Sequence, residues 1–236
     1  MLECVILGEY GPFPAPGGAC SGYLLRCEGV SVLMDCGPGA LSRLLTYQAP
    51  EALDAVVLSH LHFDHMSDLL SMGYALEIAG RRDLPLYLPD GPHRVRDLLA
   101  KGPYALMPME DFVLGEMAFS FCPARHPVPS FSLRVRHGDR ALLYTGDTNR
   151  HEGLLPFAKG CDLVLADAAL PEDLWSQSAP HLCPRLCGEL ARDAGAGELA
   201  LTHLRPDADS ARVLAQAREV FPEARLAREG MVLSLS

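Results

Sequence analysis

Short apolar and β-branched runs recur between turn residues along almost the whole chain, and this pattern constrains the fold more than any other feature. They lie at 4–7, 22–26, 30–34, 55–58, 84–88, 117–122, 132–136, 141–144, 163–165, 199–201 and 231–235. Runs of this length, bounded by Gly, Pro, Asn or Asp, read as strands. Between them lie stretches of helical period at 67–79, 92–101, 185–194 and 210–221, the third closed by Gly195 and the fourth by Pro222. The first third of the chain is strand-rich with hairpin spacing, and the later part alternates strand with helix. This predicts an α/β architecture of two packed sheets with helices outside.

A length of 236 residues lies within what one layered α/β domain occupies, and no repeat or linker divides it, so one domain over 1–236 is expected. Thirty acidic against twenty basic residues give a net charge of −10, which repels a polyphosphate backbone and disfavours structured nucleic acid as a partner. The N-terminal residues carry no basic region of a signal peptide, and no apolar run approaches the ~20 residues that span a bilayer. A cytoplasmic protein without a membrane segment is expected, and a homodimer stays open. Eight cysteines without secretory context read as reduced and mostly buried. Cys183 and Cys187 stand four apart at a helix start, spaced to share a metal, but nothing nearby supplies two more ligands. The Gly/Pro-rich stretch 9–22 is either a functional loop or a stiff connector.

The run at 55–58 ends in Ser59-His60-Leu61-His62-Phe63-Asp64-His65 before the chain turns into a helix. Alternate residues of an extended segment point the same way, so His60 and His62 can grip one ion. Asp64 and His65 follow in the turn and can address a second. A lone histidine is usually structural, but four ligand-type residues within six positions at a strand end are hard to explain as packing. Further candidates follow other strands: His126 after 119–122, Asp147 after 141–144, and His203 after 199–201. Asp35 and Asp167 occupy equivalent places. In α/β sheets such ends converge on one crevice. Imidazole and carboxylate are zinc ligands, and a two-oxygen aspartate can bridge two ions.

The order and spacing of these segments resemble the metallo-β-lactamase superfamily, over most of the chain. The resemblance implies a four-layer αββα sandwich of two mixed sheets. It implies a first zinc held by His60, His62 and His126, a second by Asp64, His65 and His203, and Asp147 between them, with manganese able to replace zinc. Asp35 in Met34-Asp35-Cys36-Gly37 resembles the family carboxylate that orients ligands. The segment from His126 to Ser132, the Gly146-Asp147-Thr148 triplet and Thr202-His203-Leu204 look like the ribonuclease Z and phosphodiesterase branch. The segment from His181 to Ala191 is similar to one that precedes the last ligand there. Two departures matter. Ala166-Asp167-Ala168-Ala169 stands where ribonuclease Z has His-Glu-Ala-Thr, and no insertion matches the basic arm for transfer RNA.

The resemblance thus implies a two-zinc hydrolase in which metal-activated hydroxide attacks a small phosphodiester, Asp64 orients the nucleophile, and His181 either donates a proton or makes a local helix-entry bond. The same site could open an ester, lactone or sulfate ester. A metal-binding sensor without turnover is the reading of another class, and the filled ligand positions argue against it. An oxygen-reducing iron centre would bring a flavin domain for which 236 residues leave no room. Arg205 is either an anion clamp or solvated, and Trp175 either lines the substrate mouth or caps a core edge. His93, His137 and His151 read as surface residues.

Overall fold

The computed structural model describes residues 1–236. The first half supplies β1 (Leu2–Gly8), β2 (Gly22–Cys27), β3 (Val30–Cys36), β4 (Ala55–Val57), β5 (Leu84–Tyr87) and β6 (Tyr104–Met107). The second supplies β7 (Phe112–Leu114), β8 (Met117–Pro123), β9 (Phe131–His137), β10 (Arg140–Tyr144), β11 (Leu163–Asp167), β12 (Glu198–Thr202) and β13 (Arg225–Leu226). β14 (Val232–Leu235) then returns to pair with β1. Seven strands in the order β14-β1-β2-β3-β4-β5-β6 form one sheet, and β13-β12-β11-β10-β9-β8-β7 form the other. Both are mixed. From β3 to β6 and from β10 to β13 the strands run parallel, so within each run the C-terminal ends share one edge.

The central strands divide their side chains between two apolar layers. Cys4 and Ile6 of β1, Val32 and Met34 of β3, and Leu163 and Leu165 of β11 meet in a core between the sheets. Val5, Leu7 and Leu33 face the first outer layer, with α1 (Ala40–Leu44), α2 (Phe63–Met66), α3 (Asp68–Ile78) and α4 (His93–Leu99) on that side of the molecule. Val164 and Ala166 face the second outer layer, beneath α5 (Leu154–Ala158), α6 (Pro184–Ala194) and α7 (Ser210–Arg218). Strands covered on both faces read as continuous apolar runs rather than alternating ones, as the sequence does here.

Where sequence and structure differ, the elements are short or half-covered. β6 and β7 form the far edges of the two sheets and are only partly buried. β13 has two residues, and α1, α2 and α5 have five or fewer, too few to establish a period. The expected helix at 210–221 stops at Arg218, and its start is set by Asp209, whose side chain accepts from the Ala211 and Arg212 amides. The expected helix at 92–101 is His93–Leu99.

Replacing Leu142, fully buried between the sheets, by Ala should lower unfolding stability by about 2–5 kcal/mol. Ile78→Ala, at a side chain 89 % exposed, should stay within about 0.5 kcal/mol of the parent. Urea unfolding measures both.

Candidate metal centre

Strand ends deliver the ligand-type residues to one place. Asp35 stands at the end of β3, His60 to His65 follow β4, His126 follows β8, Asp147 follows β10, Asp167 ends β11 and His203 follows β12. Three of these ends turn through left-handed backbone: Asp35 and His203 at φ 54° and Gly146 at φ 56°. That conformation is strained for non-glycine residues, and such strain concentrates at functional sites. Gly146 has a second constraint, since a Cβ there would sit 2.7 Å from the Phe131 carbonyl oxygen.

Three ring nitrogens face one another at the first cluster. His62 Nδ1 lies 3.0 Å from His60 Nε2 and 3.1 Å from His126 Nε2. The opposite nitrogens of His60 and His126 have other partners. His126 Nδ1–H donates to the Pro180 carbonyl at 3.1 Å. Ser59 Oγ gives its own proton to Asp35 at 2.7 Å, so it accepts from His60 Nδ1–H at 3.1 Å. The inward nitrogens of His60 and His126 are therefore bare lone pairs. Burial holds His60 well below the ordinary histidine pKa and lowers His62 and His126 too, so the rings are neutral. Converging lone pairs repel unless a cation lies between them.

The second cluster is Asp64, His65, Asp147 and His203. His65 Nδ1–H donates to Asp35 at 2.8 Å, which turns Nε2 inward. That Nε2 and Asp147 Oδ1 are buried without a hydrogen-bond partner, 3.3 Å apart. His203 Nε2 lies 3.1 Å from Asp64 Oδ2 and 3.4 Å from Asp147 Oδ2. Asp147 Oδ2 is also 3.6 Å from His60 Nε2, so this carboxylate touches both clusters. Burial alone would pull His65 and His203 down, but Asp147 and its fellow carboxylates outweigh it, holding His65 well above its usual value and His203 at about 10. Asp147 is held well below the carboxylate range, its burial outweighed by His203, His65 and His60. The carboxylates that draw protons onto these rings concentrate negative charge in a buried pocket, and a divalent cation bound there would take the place of those protons. The His/Asp clusters are thus able to bind metal ions.

A third grouping joins Asp147 and His203 to Asp167 and His181. His181 Nδ1–H donates to Asp167 Oδ2 at 2.8 Å, and Asp167 Oδ1 is 3.5 Å from His203 Nδ1. The partner of His181, just ahead of α6, is therefore a strand-end carboxylate 14 residues away in sequence. Burial lowers it, but Asp167 outweighs this and raises its pKa. A fourth grouping, Cys27 with Glu28 and His137, lies at the opposite strand ends, where the Met1 amino group takes Glu28 and Glu116 takes His137.

Stretch 9–22 packs on the centre: Gly11 donates to the Leu204 carbonyl, and a Cβ on Gly11 would lie 2.0 Å from the His203 ring. Arg205 pairs bidentately with Asp207 at 2.9 and 2.6 Å, which occupies it. Cys183 and Cys187 are buried, and Cys187 Sγ meets the Asp167 carbonyl oxygen at 3.1 Å. His93 is exposed. His151 is half-buried, with Nδ1 accepting from the Gly153 amide and Nε2 enclosed. Trp175 is half-buried and donates to Asn149, a residue that no motif in the sequence singles out.

Comparison with known proteins agrees with this geometry. Residues 31–204 match the model of the β-lactamase superfamily domain. The chain is 34 % identical over 242 residues to the probable metallo-hydrolase YhfI of Bacillus subtilis, covering 98 % of this chain and 99 % of that one. The crystal structure of YhfI, a metallo-β-lactamase fold protein, superposes with a TM-score of 0.92 at 32 % identity over 98 % of each chain. Ribonuclease Z of Methanopyrus kandleri is 24 % identical over 96 % of this chain and 95 % of its own. A diphosphatase of the PhnP family shares the fold with a TM-score of 0.78 at 20 % identity, over 100 % of this chain and 98 % of that one. The two mixed sheets of this chain, flanked by helices, are the αββα sandwich, and the chain belongs to the β-lactamase superfamily as a metal-dependent hydrolase.

Proposed function

We propose that residues 1–236, folded as one domain that β14 closes onto β1, form a two-zinc phosphodiesterase acting on a small phosphodiester. The observation that carries this reading is Asp147, whose carboxylate lies within 3.6 Å of nitrogens from both clusters, His60 on one side and His65 and His203 on the other. His60, His62 and His126 would hold one ion, Asp64, His65 and His203 the other, and Asp147 both. The donors are imidazole and carboxylate without thiolate, a set that suits zinc and admits manganese. Such an ion pair supplies positive charge that makes water acidic near neutral pH and offsets charge on non-bridging phosphate oxygens.

The remaining chemistry belongs to side chains. Asp64 is 11 % exposed against 3 % for Asp147, so it is the carboxylate with access to an incoming water. It orients that water and accepts its proton. His181, 19 % exposed and held through Nδ1 by Asp167, has its ring 5.4 Å from that of His126 and 5.2 Å from that of His203. Its free nitrogen delivers a proton to the leaving oxygen. Ribonuclease Z among the relatives supports phosphodiester chemistry. The net charge of −10 favours a cyclic or dinucleotide-sized substrate over structured RNA.

Asp35→Asn should weaken zinc binding by roughly 10–100-fold, because it loosens His65 directly and His60 through Ser59. Chelator competition measures this, with His93→Ala as the unchanged control. For substrate, hydrolysis of bis(p-nitrophenyl) phosphate should exceed opening of a chromogenic cephalosporin, and zinc or manganese should restore it after chelation. Asp64→Ala should abolish it with the fold intact by circular dichroism. Efficient cephalosporin or lactone opening without phosphodiester cleavage would move the chain to the carbonyl-attacking enzymes.

A further inference from the structure

Two contacts of the centre come from the irregular segment 171–181, which contains only a short 3₁₀ turn at Glu172–Leu174. Pro180 supplies the carbonyl that accepts from His126 Nδ1, and His181 is the ring held by Asp167. Most of the segment is exposed or half-exposed, and little apolar burial holds it. A segment like this drifts unless something else fixes it.

Asn149 does so from beneath. It follows Asp147 by two residues and is fully buried. Its Nδ2 donates to the carbonyls of Ala179 at 2.7 Å and Ser176 at 3.0 Å, and lies 3.4 Å from that of Gln177. Its Oδ1 accepts from Trp175 Nε1 at 3.0 Å and from the Arg150 amide at 2.6 Å. Both amide protons and both lone pairs are used. Only a carboxamide offers two donors and two acceptors from one short side chain. Aspartate would set a charge against carbonyl oxygens, and an apolar residue would leave the Asn149 side of these part-buried carbonyls and of the indole N–H unpaired.

We propose that Asn149 is a positioning residue for the metal centre. It acts through the 175–180 backbone, so that Pro180 keeps His126 in the tautomer with Nε2 bare and His181 stays on Asp167. Trp175 then serves as a strap, its indole proton held by Asn149. The link to turnover rests on the proposed roles of His126 and His181, whereas the link to metal affinity does not depend on substrate.

The test compares Asn149→Asp, the smaller neutral Asn149→Ser and Trp175→Phe with the parent in three measurements: zinc affinity by chelator competition, kcat and KM for bis(p-nitrophenyl) phosphate at saturating zinc, and amide exchange of 171–181. Asn149→Ser serves if the aspartate variant does not fold. Both Asn149 variants should speed exchange in 171–181 alone and weaken zinc by about tenfold or more, the range for residues that orient ligands. They should lower kcat at zinc saturation while KM changes little. Trp175→Phe, which removes one donor, should fall between. In a His181→Ala background, Asn149→Ser should cost less kcat than alone, because groups acting through one another are not additive. Parent-like zinc affinity with accelerated exchange would overturn the proposal, as would full additivity with His181→Ala. If even the parent leaves phosphodiesters intact, zinc affinity and exchange still decide the point.

Discussion

The centre depends on one buried carboxylate. Asp35, fully inaccessible, takes the Ser59 amide and hydroxyl at 2.7 Å each, the Tyr144 hydroxyl at 2.7 Å and His65 Nδ1–H at 2.8 Å. A carboxyl group taken out of water needs hydrogen bonds in place of its hydration, and here four donors supply them. They come from both halves of the molecule. Ser59 and His65 follow β4 of the first sheet, and Tyr144 closes β10 of the second. The same group that ties the sheets together therefore sets the ring orientation of His65 in one cluster and, through Ser59, of His60 in the other. Packing of the sandwich and aim of these two rings are one constraint.

That seam organises the remaining geometry. Parallel strands in each sheet bring several C-terminal ends to one edge, where side chains no longer have to pack between layers. Near the end of β3 and just after β10 and β12 the backbone takes the left-handed conformation, at Asp35, Gly146 and His203, and these turns stand where Asp35, Asp147 and His203 leave the apolar layers. Asp147, placed by one of those turns, lies where the two clusters meet. The loop that begins at Glu9 then covers His203 so closely that only glycine fits at position 11.

Much of this was legible in the residues. His60, His62, Asp64 and His65 stand out because strand period and turn bring four donors together within six positions, and His126, Asp147 and His203 because each follows an apolar run. Asp35 and Asp167 carry the same strand-end signature. Asn149 carries none: it is one polar residue in a turn, and its partners at 175–179 lie 26 to 30 residues away. His126 is oriented by a backbone carbonyl, which no residue type announces. The polar residues beside His151 in sequence do not reveal that its Nε2 is enclosed. The edge strands β6 and β7 were illegible for a different reason: half-covered edges need no apolar pattern.

Anomalous diffraction at the zinc absorption edge, from crystals grown with zinc, tests most directly whether Asp147 joins two ion sites into one centre. Two peaks about 3.5–4 Å apart are expected, one among His60, His62 and His126 and the other among Asp64, His65 and His203, with Asp147 contacting both. A single peak under saturating zinc, or a second peak away from Asp147, would contradict it.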